Sequence, residues 1–280
     1  MNIRVRYIMT GLLACAAVSF AGVSCMQFMA SKSTSYIDMN TIDLVQTELP
    51  KDGAPTATIK TTEGDIKFVL YPEYAPEMVG IFTELAQSGY YDNTYVFNSE
   101  PGVYFGAGSP KKNGDLDENK PEGVKECVQE INQNLWPFKG ALCSLSTGED
   151  GGLWKKITGD VKILNGSRFT VLNSTEFTDE FKNQLLESDE NTTLAEKFIE
   201  IGGVPALSQK ITVFGQAYEG FDVIDKLTSL ETRTTDDGLK IPLDDIMINT
   251  ITIGTYSSDE NESETQAASE KANAMGDDST

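Results

Sequence analysis

The sequence predicts a mainly β domain over residues 56–256, and three adjoining patterns predict it. In Gly64–Tyr71 the apolar Ile66, Phe68 and Leu70 alternate with Lys67 and Val69, which is the period of a strand with one buried face, entered by a turn at Glu63-Gly64. From Pro76 the period becomes helical: Met78, Phe82 and Leu85 share one face, with Val79 and Ile81 beside them. Pro76 suits a first turn, where its missing N–H is not needed, and Gly89 can take the left-handed conformation that closes a helix. A turn at Tyr90–Thr94 leads into a further strand, bounded by Pro101-Gly102 and then by Gly108-Ser109-Pro110.

Three later segments extend the pattern. They are Lys139-Gly140-Ala141-Leu142-Cys143-Ser144-Leu145, Gly166-Ser167-Arg168-Phe169-Thr170-Val171, and Thr212-Val213-Phe214-Gly215-Gln216 followed by Glu219–Leu227. In this order the segments resemble the cyclophilin family of peptidyl-prolyl cis-trans isomerases. That family carries Arg-Gly-x-Leu-Ser-Met-Ala, Gly-Ser-Gln-Phe-Phe-Ile and Val-Phe-Gly-x-Val-x-x-Gly-x-x-Val-Val-Asp-x-Ile at the matching places. The resemblance spans residues 56–254. It implies a closed eight-stranded antiparallel barrel capped by helices near 76–88 and 220–230. It also implies prolyl isomerisation with no cofactor, acting on proline-containing segments of other proteins.

The residue inventory agrees with a reaction that needs little chemistry. Histidine is absent, which removes the usual general base, the Ser-His-Asp and Cys-His constellations and the commonest transition-metal ligand. No cysteine cluster has metal spacing and no glycine-rich phosphate loop occurs. Rotation about X-Pro is slow because amide resonance sets a barrier of ~18–20 kcal/mol. A catalyst need only hold proline in an apolar slot and aim a donor at the nitrogen whose lone pair returns in the twisted state. In the family an arginine is assigned that role, and the matching position here is Asn98, within Val96-Phe97-Asn98-Ser99.

The other groove positions are read from the same resemblance. Val103, Tyr104 and Gly106 stand in the family's Phe-Met-Ile-Gln stretch, so a glutamine is lost at Gly106. Thr170 replaces the phenylalanine that floors the slot, Phe169 precedes it, and Leu207 and Phe214 match the family. Ala206 and Ile211 fall near the family's Trp (or Phe) and His. Arg168 takes the place of a pocket glutamine, so its guanidinium is either a substitute donor or a groove-wall, salt-bridging group. Asn98 and Arg168 are therefore the catalytic candidates, and these changes suit either weakened isomerisation that assists folding of exported proteins or a catalytically inactive, chaperone-like peptide binder. Val103, Tyr104, Gly106, Phe169, Thr170, Leu207 and Phe214 are the substrate-binding ones.

The termini point to export. Arg4 and Arg6 precede an uncharged, apolar run from Tyr7 to Ser24, the form of a signal peptide over residues 1–24. Cys25, where apolar character gives way to Ser31-Lys32-Ser33-Thr34, is the favoured lipid-attachment site. Cys15 after Leu12-Leu13-Ala14 and an uncleaved anchor are the alternatives, since about 18–20 apolar residues span a bilayer. Each places the domain outside the cytoplasmic membrane, tethered to it by a linker over residues 25–55. The net charge of −21 opposes nucleic-acid binding, which rests on Lys and Arg neutralising phosphates. Residues 257–280, acidic and without an aromatic residue, read as a disordered tail.

Two expectations remain. Cys127 and Cys143 lie on strands that the barrel resemblance brings near each other, so outside the membrane they either form a disulfide or sit as two buried small residues. Closing that loop of about 15 residues would stabilise by ~3 kcal/mol. Residues 174–209 exceed the family's usual length. Phe181, Leu185 and Leu186 share one face, and Leu194, Phe198 and Ile201 another, which predicts a helical hairpin over 178–186 and 193–201 beside the barrel. An exposed apolar face on that hairpin would suggest a docking role; Gly148–Asn165 enlarges a loop near the groove.

Overall fold

A computed structural model of the protein describes residues 42–115, 126–150, 162–188, 192–236 and 238–259. The signal segment, Cys15, Cys25 and all but the start of the acidic tail lie outside the described residues, as does most of the enlarged loop after Gly148. The alternating segments form strands β1 (Pro55–Thr61), β2 (Gly64–Leu70), β3 (Thr94–Glu100), β4 (Tyr104–Ser109), β5 (Cys127–Val128), β6 (Ala141–Asp150), β7 (Lys162–Leu172), β8 (Val213–Glu219), β9 (Thr232–Thr234), β10 (Lys240–Pro242) and β11 (Met247–Thr255). Eight of them run β4-β3-β11-β1-β2-β8-β6-β7, every neighbouring pair antiparallel, and β7 returns to pair with β4. The predicted barrel is closed.

Alternation along the strands divides the side chains between two faces. Ile59, Ile66, Phe68, Phe105, Leu142, Phe169, Val171, Phe214 and Ile248 are fully or nearly fully buried in the barrel interior. Helix α1 (Pro76–Gln87) plugs this interior with Met78, Phe82 and Leu85. Phe82 meets Phe214 at 5.2 Å and Phe169 edge-on at 5.8 Å, spacings at which aromatic rings attract beyond their simple burial. The start of α1 has no side-chain cap of its own. Glu130 supplies one: its carboxylate accepts from the amides of Glu77 (3.1 Å) and Met78 (2.9 Å), where the helix dipole favours a negative charge.

The inserted hairpin is present as α2 (Asp179–Ser188) and α3 (Thr192–Ile201). Its apolar faces do not look outward. Leu185, Leu194, Ala195 and Phe198 pack on Trp136 and Phe138, with the Phe138 and Phe198 rings 4.7 Å apart. A last helix, α4 (Phe221–Leu227), covers β2 with Val223, Ile224 and Leu227. It is shorter than the expected 220–230.

Two expectations change. The linker expected over 25–55 is not free along its described part: Ile42 and Leu44 rest on the hairpin cluster, and Gln46 is buried. The Gln46 amide pairs with both backbone groups of Trp136 as a neighbouring strand would. It accepts from the Trp136 N–H, donates to the Trp136 carbonyl at 2.9 Å, and donates to Gln216 Oε1 at 2.8 Å.

The second change concerns the cysteines. Both Cys127 and Cys143 are free thiols. Cys127 pairs with Asn165 on one edge of β7, and Cys143 pairs with Thr170 on the other. Five residues along a strand is about 17 Å, far beyond the ~7 Å that a disulfide allows between Cα atoms. Burial pushes the Cys127 thiol up to about 11, helped by Glu130, and raises Cys143 further, so both stay protonated and inert at neutral pH. Alkylation of the native protein should therefore miss both, and unfolding without reductant should expose both for full labelling. Protection that only a reductant removes would restore the bridge.

Candidate active site

The outward face of β3, β4, β7 and β6 carries the predicted site, and register decides which residues share it. Gly106 on β4 lies opposite Thr170 on β7, which lies opposite Cys143 on β6. This row of small, buried residues stands where the resemblance puts the floor of the proline slot. Tyr104, Leu207 and Val213 pack along one side of it, with Val103 and Ile211 at its half-buried edge. Arg168 lies on the other side, two residues from Thr170 on the same face. Asn98, Val103, Tyr104, Gly106, Arg168, Thr170 and Leu207 are thus brought together. Phe169 and Phe214 are not: they belong to the opposite face and are fully buried against Phe82, so neither can touch a ligand in the slot.

Each polar candidate is hydrogen-bonded to the chain itself. Asn98 is only 3% exposed; its Oδ1 accepts from the Lys240 amide at 2.9 Å, which fixes the orientation of the side chain, and its Nδ2 donates to the Tyr104 hydroxyl at 3.2 Å. Thr170 spends its hydroxyl on the Phe105 carbonyl at 2.8 Å. Arg168, 4% exposed, donates from its two terminal nitrogens to the carbonyls of Gly114 (2.7 Å) and Ser146 (3.0 Å). Burial lowers the Arg168 pKa, with the nearby Asp115 opposing, yet a guanidinium remains charged throughout the physiological range. Its Nε has no partner among the described residues.

The slot is also occupied. Phe97 lays its ring over Gly106 and Gly114. A Cβ at Gly106 would stand 3.2 Å from the ring, and one at Gly114, where φ is +73°, only 2.5 Å from it. The Arg168 guanidinium lies 6.0 Å from the same ring, within cation–π range. The Phe97 ring thus takes the space that a side chain at Gly106 would need. Leu145, Leu239 and Ile241 complete a small cluster around Phe97, separate from the barrel interior.

Ile241 lies on β10 of the two-stranded β9–β10 ribbon and Leu239 immediately precedes that strand; the ribbon lies across β3 as a strap. Lys240 anchors it twice, through its amide to Asn98 and through Nζ to Glu100 Oε1 at 2.7 Å. Phe97, Leu145, Leu239, Lys240 and Ile241 were not singled out from the sequence. The strap is three residues of β10 with no periodicity to read, and the fit of Phe97 to two glycines appears only in three dimensions. No group of three or more acidic, cysteine or histidine residues among the described residues is placed to hold a metal ion.

Comparison with known proteins bears on this arrangement. The family model described as cyclophilin type peptidyl-prolyl cis-trans isomerase matches residues 56–253. A Streptococcus pyogenes protein named "Putative bifunctional phosphatase/peptidyl-prolyl cis-trans isomerase" is 30% identical over 210 residues, covering 74% of this chain; the chain spans only 40% of that relative's length. A Staphylococcus haemolyticus protein named "Putative peptidyl-prolyl cis-trans isomerase" is 27% identical over 203 residues, covering 72% of this chain and 93% of the relative. A Staphylococcus aureus protein of the same name matches equally, at 27% over 203 residues. In fold, the chain resembles the crystal structure of a Cryptosporidium parvum cyclophilin type peptidyl-prolyl cis-trans isomerase. The TM-score is 0.51 at 22% identity, over 73% of this chain and 99% of that one.

Proposed function

The chain belongs to the cyclophilin-type peptidyl-prolyl cis-trans isomerase family, and we propose that it is a weakened isomerase acting on proline-containing segments of exported proteins. One observation carries the weakening: the position of the family's catalytic arginine is Asn98, whose oxygen is held by the Lys240 amide. The reaction asks for an apolar slot and a preorganised donor. Tyr104, Leu207, Val213 and Ile211 supply apolar walls. The Asn98 amide, the Thr170 hydroxyl and the two terminal nitrogens of Arg168 are engaged with the protein's own oxygens. No step requires a cofactor. A docking role for α2–α3 gains no support, since the exposed large apolar residues include none from that hairpin among those described.

The test is an isomerisation assay of the full chain on a short Ala-Pro peptide. A rate above the spontaneous one supports the reading. A spontaneous rate in the unmodified protein and in every strap variant described below ends it.

The extracytoplasmic setting rests on Arg4, Arg6 and the apolar run to Ser24, which read as an export signal ending at Cys25. Cys25→Ala should abolish fatty-acid labelling and processing in the producing cell, while Cys15→Ala should leave both intact. The reverse pattern would move the attachment site to Cys15. Labelling that survives both changes would remove the lipid anchor.

A further inference from the structure

We propose that the β9–β10 strap is an intramolecular gate that closes the proline slot, so that substrate and strap compete for one surface. The inference deepens the isomerase reading and takes from it only the location of the substrate. Three observations converge. The strap's Leu239 and Ile241 are buried against Phe97 and Leu145, in a cluster that contributes nothing to the barrel interior. The strap amide at Lys240 takes the oxygen of Asn98, the residue in the catalytic position. Lys240 Nζ pairs with Glu100, on the same strand as Phe97 and Asn98, so the strap meets β3 along the whole stretch that flanks the slot.

These contacts suit a latch better than a core. The closing cluster has four apolar members, against the many that hold the barrel. In the Lys240–Glu100 pair the lysine side chain is 27% accessible, while Glu100 is buried with its Oε2 lacking a partner among the described residues, so strap release returns an incompletely satisfied carboxylate to solvent. Local opening at a free-energy cost well below global unfolding is the usual behaviour of such a segment. Phe97 is held down only while Leu239 and Ile241 cover it. When they leave, the ring can turn off Gly106 and Gly114 and uncover the Gly106–Thr170–Cys143 floor.

The consequence is an apparent affinity reduced by the fraction of molecules with the strap open. If that fraction is about 1–10%, release of the strap strengthens peptide binding about 10–100-fold. The experiment compares the full chain with Leu239→Ser/Ile241→Ser and with the milder single variants Leu239→Ala and Ile241→Ala. Ala-Pro peptide binding is followed by amide chemical shifts, and isomerisation by exchange between cis and trans peptide signals.

Folded variants should bind more tightly in the order single, then double, and the Lys240 amide of the unmodified chain should exchange faster with solvent when peptide saturates the slot. Equal binding by the unmodified chain and by every variant that keeps its native spectrum would overturn the gate, and so would slower Lys240 exchange on peptide addition. Should the double variant unfold, the single variants and the exchange of the unmodified chain decide. The gate and the isomerase reading separate cleanly. Tighter binding without isomerisation keeps the gate and removes the enzyme, while isomerisation equal in all variants keeps the enzyme and removes the gate.

Discussion

On a short proline peptide, the unmodified protein should turn over about 10²–10³-fold more slowly than a relative with arginine at the Asn98 position. That factor is what removal of one preorganised donor from a polar active site typically costs, ~2.7–4 kcal/mol of barrier. Two features of the site decide why nothing replaces the donor. Arg168 is a cation beside the slot, but its terminal nitrogens are committed to the Gly114 and Ser146 carbonyls and its guanidinium lies over Phe97. The Asn98 amide is committed to Tyr104.

Restoring arginine by Asn98→Arg should gain little while the strap is closed, because a longer side chain there meets Lys240. Combined with Leu239→Ser/Ile241→Ser it should recover a rate gain of about 10². Arg168→Gln, assayed below its melting temperature, should leave the residual rate unchanged. Ordinary family turnover in the unmodified chain would refute this account of the site, and loss of the residual rate in Arg168→Gln would make Arg168 the donor.

How far the sequence carried this picture depended on the range of each interaction. The strands and α1 were legible because their periods repeat over seven or more residues, and the α2–α3 hairpin for the same reason. Asn98 was singled out because it sits in a motif, and the structure places it opposite Gly106. Face assignment was readable but missed. Arg168 and Thr170 are two apart on a strand and Phe169 lies between them, so Phe169 had to face the interior once the other two were placed in the groove. The disulfide failed on strand order: β5 and β6 flank β7 on opposite edges, which no local pattern reveals. Gln46 and Lys240 act through single hydrogen bonds to residues far away in sequence. Such contacts leave no periodic trace, and they are the ones that turned an expected linker and an expected open groove into packed surfaces.

Phe97→Ala should destabilise the protein and reveal whether the slot is a binding site kept full. Truncating a buried phenylalanine typically costs about 3–5 kcal/mol, from lost burial and from the cavity left behind. For a domain of this size that is a fall in melting temperature of roughly 6–20 °C. The loss should lie near the lower end, because the strap that covers Phe97 is held by few contacts and can settle into the space. Phe169→Ala is the control. Phe169 is fully buried and ringed by Phe82 and Tyr91, and neither the barrel wall nor α1 can move in to fill the gap. Its loss should be the greater of the two. Peptide should then distinguish them. Ala-Pro peptide should raise the melting temperature of Phe97→Ala, because the emptied slot opens on the outer face between Tyr104, Leu207 and the Gly106–Thr170 floor. Binding at 100 times the dissociation constant returns ~2.7 kcal/mol, most of the loss. The same peptide should leave Phe169→Ala unmoved, since that cavity is sealed inside the barrel. Rescue of neither variant would mean that Phe97 is an ordinary structural ring, and the surface beneath it no substrate slot.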